Sequence, residues 1–157
     1  MRHWLFKSEP DVFGIDHLAA EAQGTACWDG VRNYQARNFL RDEIQAGDQV
    51  LFYHSNAKPP GVAGLAEVVR AGYPDHTAFD PEEKYYDPKS DPAKPRWFMV
   101  DVRFRQRFPR FVSLTELREM DELADMPLLN RSRLSIQPVT PDQFAAIVTL
   151  ADGRSPS

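Results

Sequence analysis

From Trp97 to Phe108 apolar and polar side chains alternate, with Phe98, Val100, Val102 and Phe104 set against Asp101, Arg103, Arg105 and Gln106. A period of two is the mark of a strand with one face in a core and the other in water. Other strands follow from shorter apolar runs. Trp4-Leu5-Phe6 reads as a buried first strand stopped ahead of Pro10, which biases Glu9 to an extended conformation. Gln49 to His54 reads as a central strand, and about Val62 to Arg70 as its partner. The run Val50-Leu51-Phe52-Tyr53 lacks alternation, which fits a strand covered on both sides.

Helices are scattered between these strands. Asp16 is placed to cap a short helix to Ala22. Asn33 is placed to cap a second, with Ala36, Phe39, Leu40 and Ile44 on one face. Ser113-Leu114-Thr115-Glu116 is a capping box that opens a helix to about Ala124. Thr140-Pro141-Asp142-Gln143 is another, with proline in the first turn, and it leads to about Leu150. Residues 73–95 carry repeated prolines and much charge and read as a long irregular excursion. The expected fold is therefore α+β: a mostly antiparallel, barrel-like sheet with helices around it. One domain is expected over 1–151, with a frayed tail at 152–157.

The chain has 157 residues, enough for one real core, and a formal net charge of −4. It is no bulk polycation, so a nucleic-acid partner would have to be met by a local basic face. Residues 94–111 hold such a stripe in Lys94, Arg96, Arg103, Arg105, Arg107 and Arg110, although a solvated sheet face has the same appearance. Cys27 has no cysteine partner for a disulfide, the start lacks an apolar signal core, and no apolar run is long enough to span a bilayer. A cytoplasmic protein without membrane attachment is expected. The four histidines show no ligand spacing, and no phosphate-cradling glycine loop is present, so neither a metal nor a cofactor is expected.

The chemistry concentrates in Trp28-Asp29-Gly30-Val31-Arg32-Asn33. The indole offers a stacking face, the carboxylate and amide offer hydrogen bonds to a ring edge, and the guanidinium offers a phosphate fork. Each residue also has a plainer role. Trp28 can be a core side chain, Asp29 a turn former before Gly30, and Asn33 a helix cap.

Six motifs, read in order, resemble the EVE domain family. They are Trp4 to Pro10, Trp28 to Asn38, Phe52-Tyr53-His54-Ser55-Asn56, Gly61 to Val68, Trp97 to Val102 and Arg133 to Val139. The resemblance runs from about Arg2 to Leu150. It implies a fold similar to the PUA-like barrels and close to the YTH domain. It also implies a reader of nucleic acid, DNA or RNA, that carries a modified base. A cytosine derivative such as 5-methyl- or 5-hydroxymethylcytosine is favoured, and methylated adenine is the other option.

By the same resemblance Trp28 forms one wall of an aromatic cage, and base–aromatic stacking contributes about 1–3 kcal/mol. Lys7, Ser8 and Glu9 at the end of the first strand, Asp29 and Asn33, and Tyr53, His54, Ser55 and Asn56 at the end of the central strand are the expected base-binding pocket. Arg32, Arg37 and Lys58 are the expected phosphate contacts. The competing reading is an enzyme: the related ASCH barrels include hydrolases of modified nucleosides that use a lysine, a hydroxyl and a carboxylate, groups that Lys7, Ser8 and Glu9 supply. Consecutive strand residues point to opposite faces, which separates Lys7 from Ser8.

Overall fold

The structure is a computed structural model, and it describes residues 1–130 and 133–152. The expected tail therefore lies, from residue 153 on, outside the described residues. One six-stranded sheet organises the chain. In sequence order its strands are β1 (His3–Ser8), β2 (Thr25–Cys27), β3 (Gln49–His54), β4 (Gly61–Pro74), β5 (Phe98–Ser113) and β6 (Ile136–Val139). In space the order is β2-β5-β4-β3-β1-β6. All pairs are antiparallel except β1 with β3.

The fold class is α+β as expected, but the sheet is open. It ends on β2 at one edge and β6 at the other. Closing a sheet requires a matched stagger and partners for every edge group. Here the edge strands have three and four residues, and β6 contains Pro138, which has no N–H to offer. Short edges and an edge proline also deter pairing with another chain. Curvature comes instead from β4 and β5, whose long ladder shifts register at several points.

The central strands are buried on both faces, and successive side chains go to different cores. Trp4, Phe6, Val50 and Phe52 join one apolar cluster with Leu18, Trp28 and Leu40. Leu5, Leu51 and Tyr53 join the other with Leu117, Leu123 and Ile147. This is why those stretches read as unbroken apolar runs.

The short helices are α1 (Pro10–Phe13), α2 (Ile15–Ala20), α3 (Tyr34–Asn38), α4 (Leu114–Arg118), α5 (Pro127–Asn130) and α6 (Pro141–Ala151). Both capping boxes form as expected: Ser113 Oγ accepts from the Glu116 N–H, and Thr140 Oγ1 from the Gln143 N–H. Asn33 caps α3 through the Ala36 N–H at 3.0 Å. Three helices differ from expectation. The one capped by Asn33 is α-helical only to Asn38, a π-helical turn, Phe39–Glu43, follows, and Ile44 is already extended. The helix opened at Ser113 stops at Arg118, and a separate 3-10 turn, Asp121–Leu123, lets Leu117, Leu123 and Met126 reach one core. The start of α2 is capped by histidines rather than by Asp16. His17 Nδ1 accepts from the Gly14 N–H at 2.8 Å, and His54 Nε2 accepts from the Ile15 N–H at 3.1 Å. Asp16 instead forms an ion pair with Arg107.

Candidate nucleic-acid interface

Parallel pairing of β1 and β3 places Ser8 opposite His54, and the Ser55 N–H donates to the Ser8 carbonyl at 2.9 Å. Two segments 47 positions apart thus end side by side, and Asn56 Nδ2 donates to Glu9 Oε1 at 2.6 Å. A third segment arrives from β2. The Trp28 N–H donates to the Val100 carbonyl at 2.7 Å, which carries the chain along the sheet edge before Gly30 turns it. These segments border a cleft of about 980 Å³. Its lining includes Lys7, Ser8, Glu9, Trp28, Asp29 and Asn56.

Trp28 is only 8 % exposed. Phe6, Phe52 and Phe13 lie around it with centroid distances of 5.2, 5.4 and 6.3 Å. Its ring belongs to the core and meets the cleft only along its uncovered margin. Burial, and next the negative charge of Asp75, hold the Asp29 carboxyl above its ordinary value. Ser8 Oγ donates to the Phe13 carbonyl at 2.7 Å, which leaves its lone pairs as the group on offer. The Lys7 ammonium lies 5.9 Å from the centre of the Tyr53 ring, and burial pulls its pKa down.

The fourth wall comes from the excursion between β4 and β5, through Lys84 and Tyr85. Its anchor is Asp75, whose side chain is fully buried. Asp75 Oδ2 accepts from the Gly30 N–H at 2.8 Å and from Arg32 Nη1 at 3.0 Å. Its Oδ1 accepts from the Thr77 N–H and hydroxyl at 2.9 and 2.6 Å. Burial alone would raise this carboxyl, but the hydrogen bonds from Thr77, Gly30 and Arg32 outweigh it and hold the pKa below the ordinary value. Trp97 closes the excursion, donating from Nε1 to Asp87 Oδ2 at 2.7 Å and stacking on Tyr34 at 4.9 Å.

A model of the EVE domain matches residues 2–150. The chain belongs to the EVE domain family. Thymocyte nuclear protein 1 of Homo sapiens is 45 % identical over 172 residues, a match that covers 99 % of this chain and 76 % of that protein. The human THYN1 protein, solved in complex with 5-methylcytosine-containing DNA, superposes with a TM-score of 0.93 at 44 % identity, covering 99 % of this chain and 100 % of that one. An ASCH protein from Zymomonas mobilis superposes with a TM-score of 0.58 at 14 % identity over 95 % of each chain, a likeness of fold alone.

The EVE relatives carry a nuclear name, and that overturns the cytoplasmic expectation. Its premises were a lone cysteine and a missing signal core. They separate reducing from oxidising surroundings and say nothing about which side of a nuclear envelope a protein occupies. Among the described residues no helix is long and apolar enough to cross a membrane.

Several residues expected to meet base or phosphate are engaged within the chain or lie off the cleft; Arg32 borders it but is already engaged. Arg32 was expected on a phosphate, but all five of its N–H groups donate within the chain: to Tyr85 O twice, Val31 O, Asp75 Oδ2 and Thr77 Oγ1. Arg37 donates to the Arg96 carbonyl at 2.7 Å and lies over Tyr34. The Asn33 side chain caps α3, and neither it nor Arg37 borders the cleft. Tyr53 is 3 % exposed and belongs to the core on the far side of the sheet. His54 is spent on the start of α2. Lys58 is exposed in the β3–β4 loop, away from the cleft. Much of the basic stripe is paired: Arg96 with Asp87, Arg105 with Glu67, Arg107 with Asp16 and Arg110 with Glu116.

Asp75, Lys84 and Tyr85 escaped sequence reasoning because nothing local marks them. The one available signal was Gly30. It has φ +76°, and a Cβ there would lie 2.5 Å from the Tyr85 ring. A glycine held in that conformation signals close approach by another segment.

Proposed function

We propose that this protein binds DNA carrying a modified cytosine and takes the altered base into the cleft beside Trp28. The observation that carries this reading is the human THYN1 complex with 5-methylcytosine-containing DNA, a protein alike along the whole chain. The chemistry of the cleft suits a cytosine edge. The Asp29 carboxyl accepts from the exocyclic amine, and the Ser8 hydroxyl accepts a second hydrogen bond. A base in a duplex is flipped out at a cost of a few kcal/mol, which the cleft contacts offset.

Magnitudes limit what the methyl can do. Burying one methyl contributes about 0.8 kcal/mol, roughly fourfold in affinity. Lys7, Arg32, Lys84 and Arg133 border the cleft, and so do Glu9, Glu21 and Asp29; with Arg32 engaged by Asp75 the rest balance, so non-specific attraction to phosphate is weak. Discrimination against the unmodified base is therefore modest unless the walls close on the ring.

The hydrolase reading needs Lys7, Ser8 and Glu9 to act together. The Lys7 ammonium instead neighbours Tyr53, while Ser8 donates to Phe13 and Glu9 accepts from Asn56. Fluorescence anisotropy with matched oligonucleotides bearing cytosine, 5-methylcytosine, 5-hydroxymethylcytosine or N6-methyladenine, as DNA and as RNA, tests the proposal. Preference for a cytosine derivative in DNA, lost in Asp29→Ala, supports it. Equal affinity for every oligonucleotide overturns it.

A further inference from the structure

A captured base needs a flat partner, and Trp28 does not supply a whole face. Three rings already surround it, and 8 % of its surface is left. The other aromatic side chains bordering the cleft are Phe13 and Tyr85. Phe13 is occupied by Trp28 and His17. Tyr85 is different in kind. It stands on the excursion, outside both cores, and keeps partial exposure to solvent.

Its position is nonetheless tightly held. Arg32 donates to the Tyr85 carbonyl through Nε at 3.1 Å and Nη2 at 2.6 Å. The ring rests on Gly30, where even a methyl would lie within 2.5 Å of it. The fully buried carboxylate of Asp75 ties Gly30 and Arg32 to the same excursion. A firmly held, partly exposed aromatic bordering a cleft roomy enough for a nucleotide is the geometry of a stacking platform. The nearby cations fit this. Lys84 Nζ lies 5.4 Å from the ring centre, and an exposed ammonium there is free to move to the phosphate of a stacked nucleotide.

We propose that Tyr85 is the wall on which the modified base stacks, with Trp28 forming the depth of the cleft. This rests on the reading of the protein as a modified-base binder. The experiment compares wild type with Tyr85→Phe, Tyr85→Leu and Gly30→Ala. It measures affinity for 5-methylcytosine DNA and for unmodified DNA. It also follows the emission of a fluorescent cytosine analogue at the target position, which stacking quenches. Thermal melting is followed in parallel.

Tyr85→Phe is expected within about twofold of wild type. Tyr85→Leu keeps an apolar side chain on Gly30 but removes the ring. It should lose about fivefold to 150-fold in affinity for the modified site, the span of base–aromatic stacking, and the analogue should regain emission. Gly30→Ala, which unseats the ring, should change both readouts in the same direction. If wild type prefers modified DNA and Tyr85→Leu keeps both the affinity and the quenching, base capture stands and Tyr85 is overturned as its wall. A lower melting temperature with an unchanged ratio of modified to unmodified affinity and unchanged quenching also overturns it, since that is what a purely structural tyrosine would do. If wild type does not discriminate, both readings fall together.

Discussion

The Arg32 guanidinium meets the fully buried Asp75 carboxylate at 3.0 Å, and through that pair the loop after Trp28 is fastened to the excursion between β4 and β5. Removing one partner of a buried pair leaves the other uncompensated. Asp75→Ala should cost about 3–5 kcal/mol of stability by chemical denaturation. Arg32→Lys should not restore wild-type stability, because a three-donor ammonium cannot replace the five bonds of the fork. Wild-type stability in Arg32→Lys would show that the fork contributes nothing beyond its charge.

Trp28 bears on the choice of controls. Its ring packs on Phe6, Phe13 and Phe52, so Trp28→Ala should cost about 3–5 kcal/mol as a core truncation. Loss of DNA binding in that variant would therefore report unfolding as readily as lost recognition. Differential scanning calorimetry decides this: a melting temperature equal to wild type would place the ring outside the core.

Histidine protonation should weaken the fold in mild acid. Burial, partly offset by Asp16 and assisted by His17, lowers the His54 pKa from its ordinary 6.5, and its Nε2 accepts from the Ile15 N–H. Phe52, two residues earlier on β3, and Phe111 on β5 flank the ring. With the folded pKa depressed, the unfolded chain binds more protons as pH falls below 6.5. Stability is then fully present above 6.5 and declines from there down to the folded pKa. Unfolding midpoints measured from pH 7.5 to 5 should fall, and His54→Gln should flatten the slope. His3, whose pKa burial also lowers, contributes with the same sign and sets the residual slope.

Lys84 should act on the backbone of the nucleic acid rather than on the base. Lys84→Gln is expected to weaken binding about equally for modified and unmodified DNA. It should also reduce the slope of log affinity against log salt by about one. A selective loss for modified DNA would show that the ammonium reads the base.

What could be read locally was read well. The Ser113 and Thr140 capping boxes and the Asn33 cap require only residues three positions apart, and all three form. The strand Gln49–His54 keeps its expected bounds because its apolar run is complete in itself. What the sequence did not make legible involves long-range partners. Tyr53 and His54 stand next to the cleft-lining Ser55 and Asn56 in sequence, yet strand alternation sends Tyr53 to the far core, and the start of α2 engages His54. Arg32 has the right chemistry for a phosphate, but Asp75, Thr77 and Tyr85 reach it first.

By itself the sequence determined the α+β class, the caps, the central strands and the motifs that mark an EVE domain. All of these follow from short-range stereochemistry and from which side chains avoid water. Only the tertiary structure decided that the sheet stays open, that β1 and β3 run parallel so that residues 7–9 and 54–56 meet, and that the excursion folds back to seat Tyr85 on Gly30. Those outcomes depend on which distant donor finds which acceptor once the cores have closed, and a one-dimensional pattern does not record that competition.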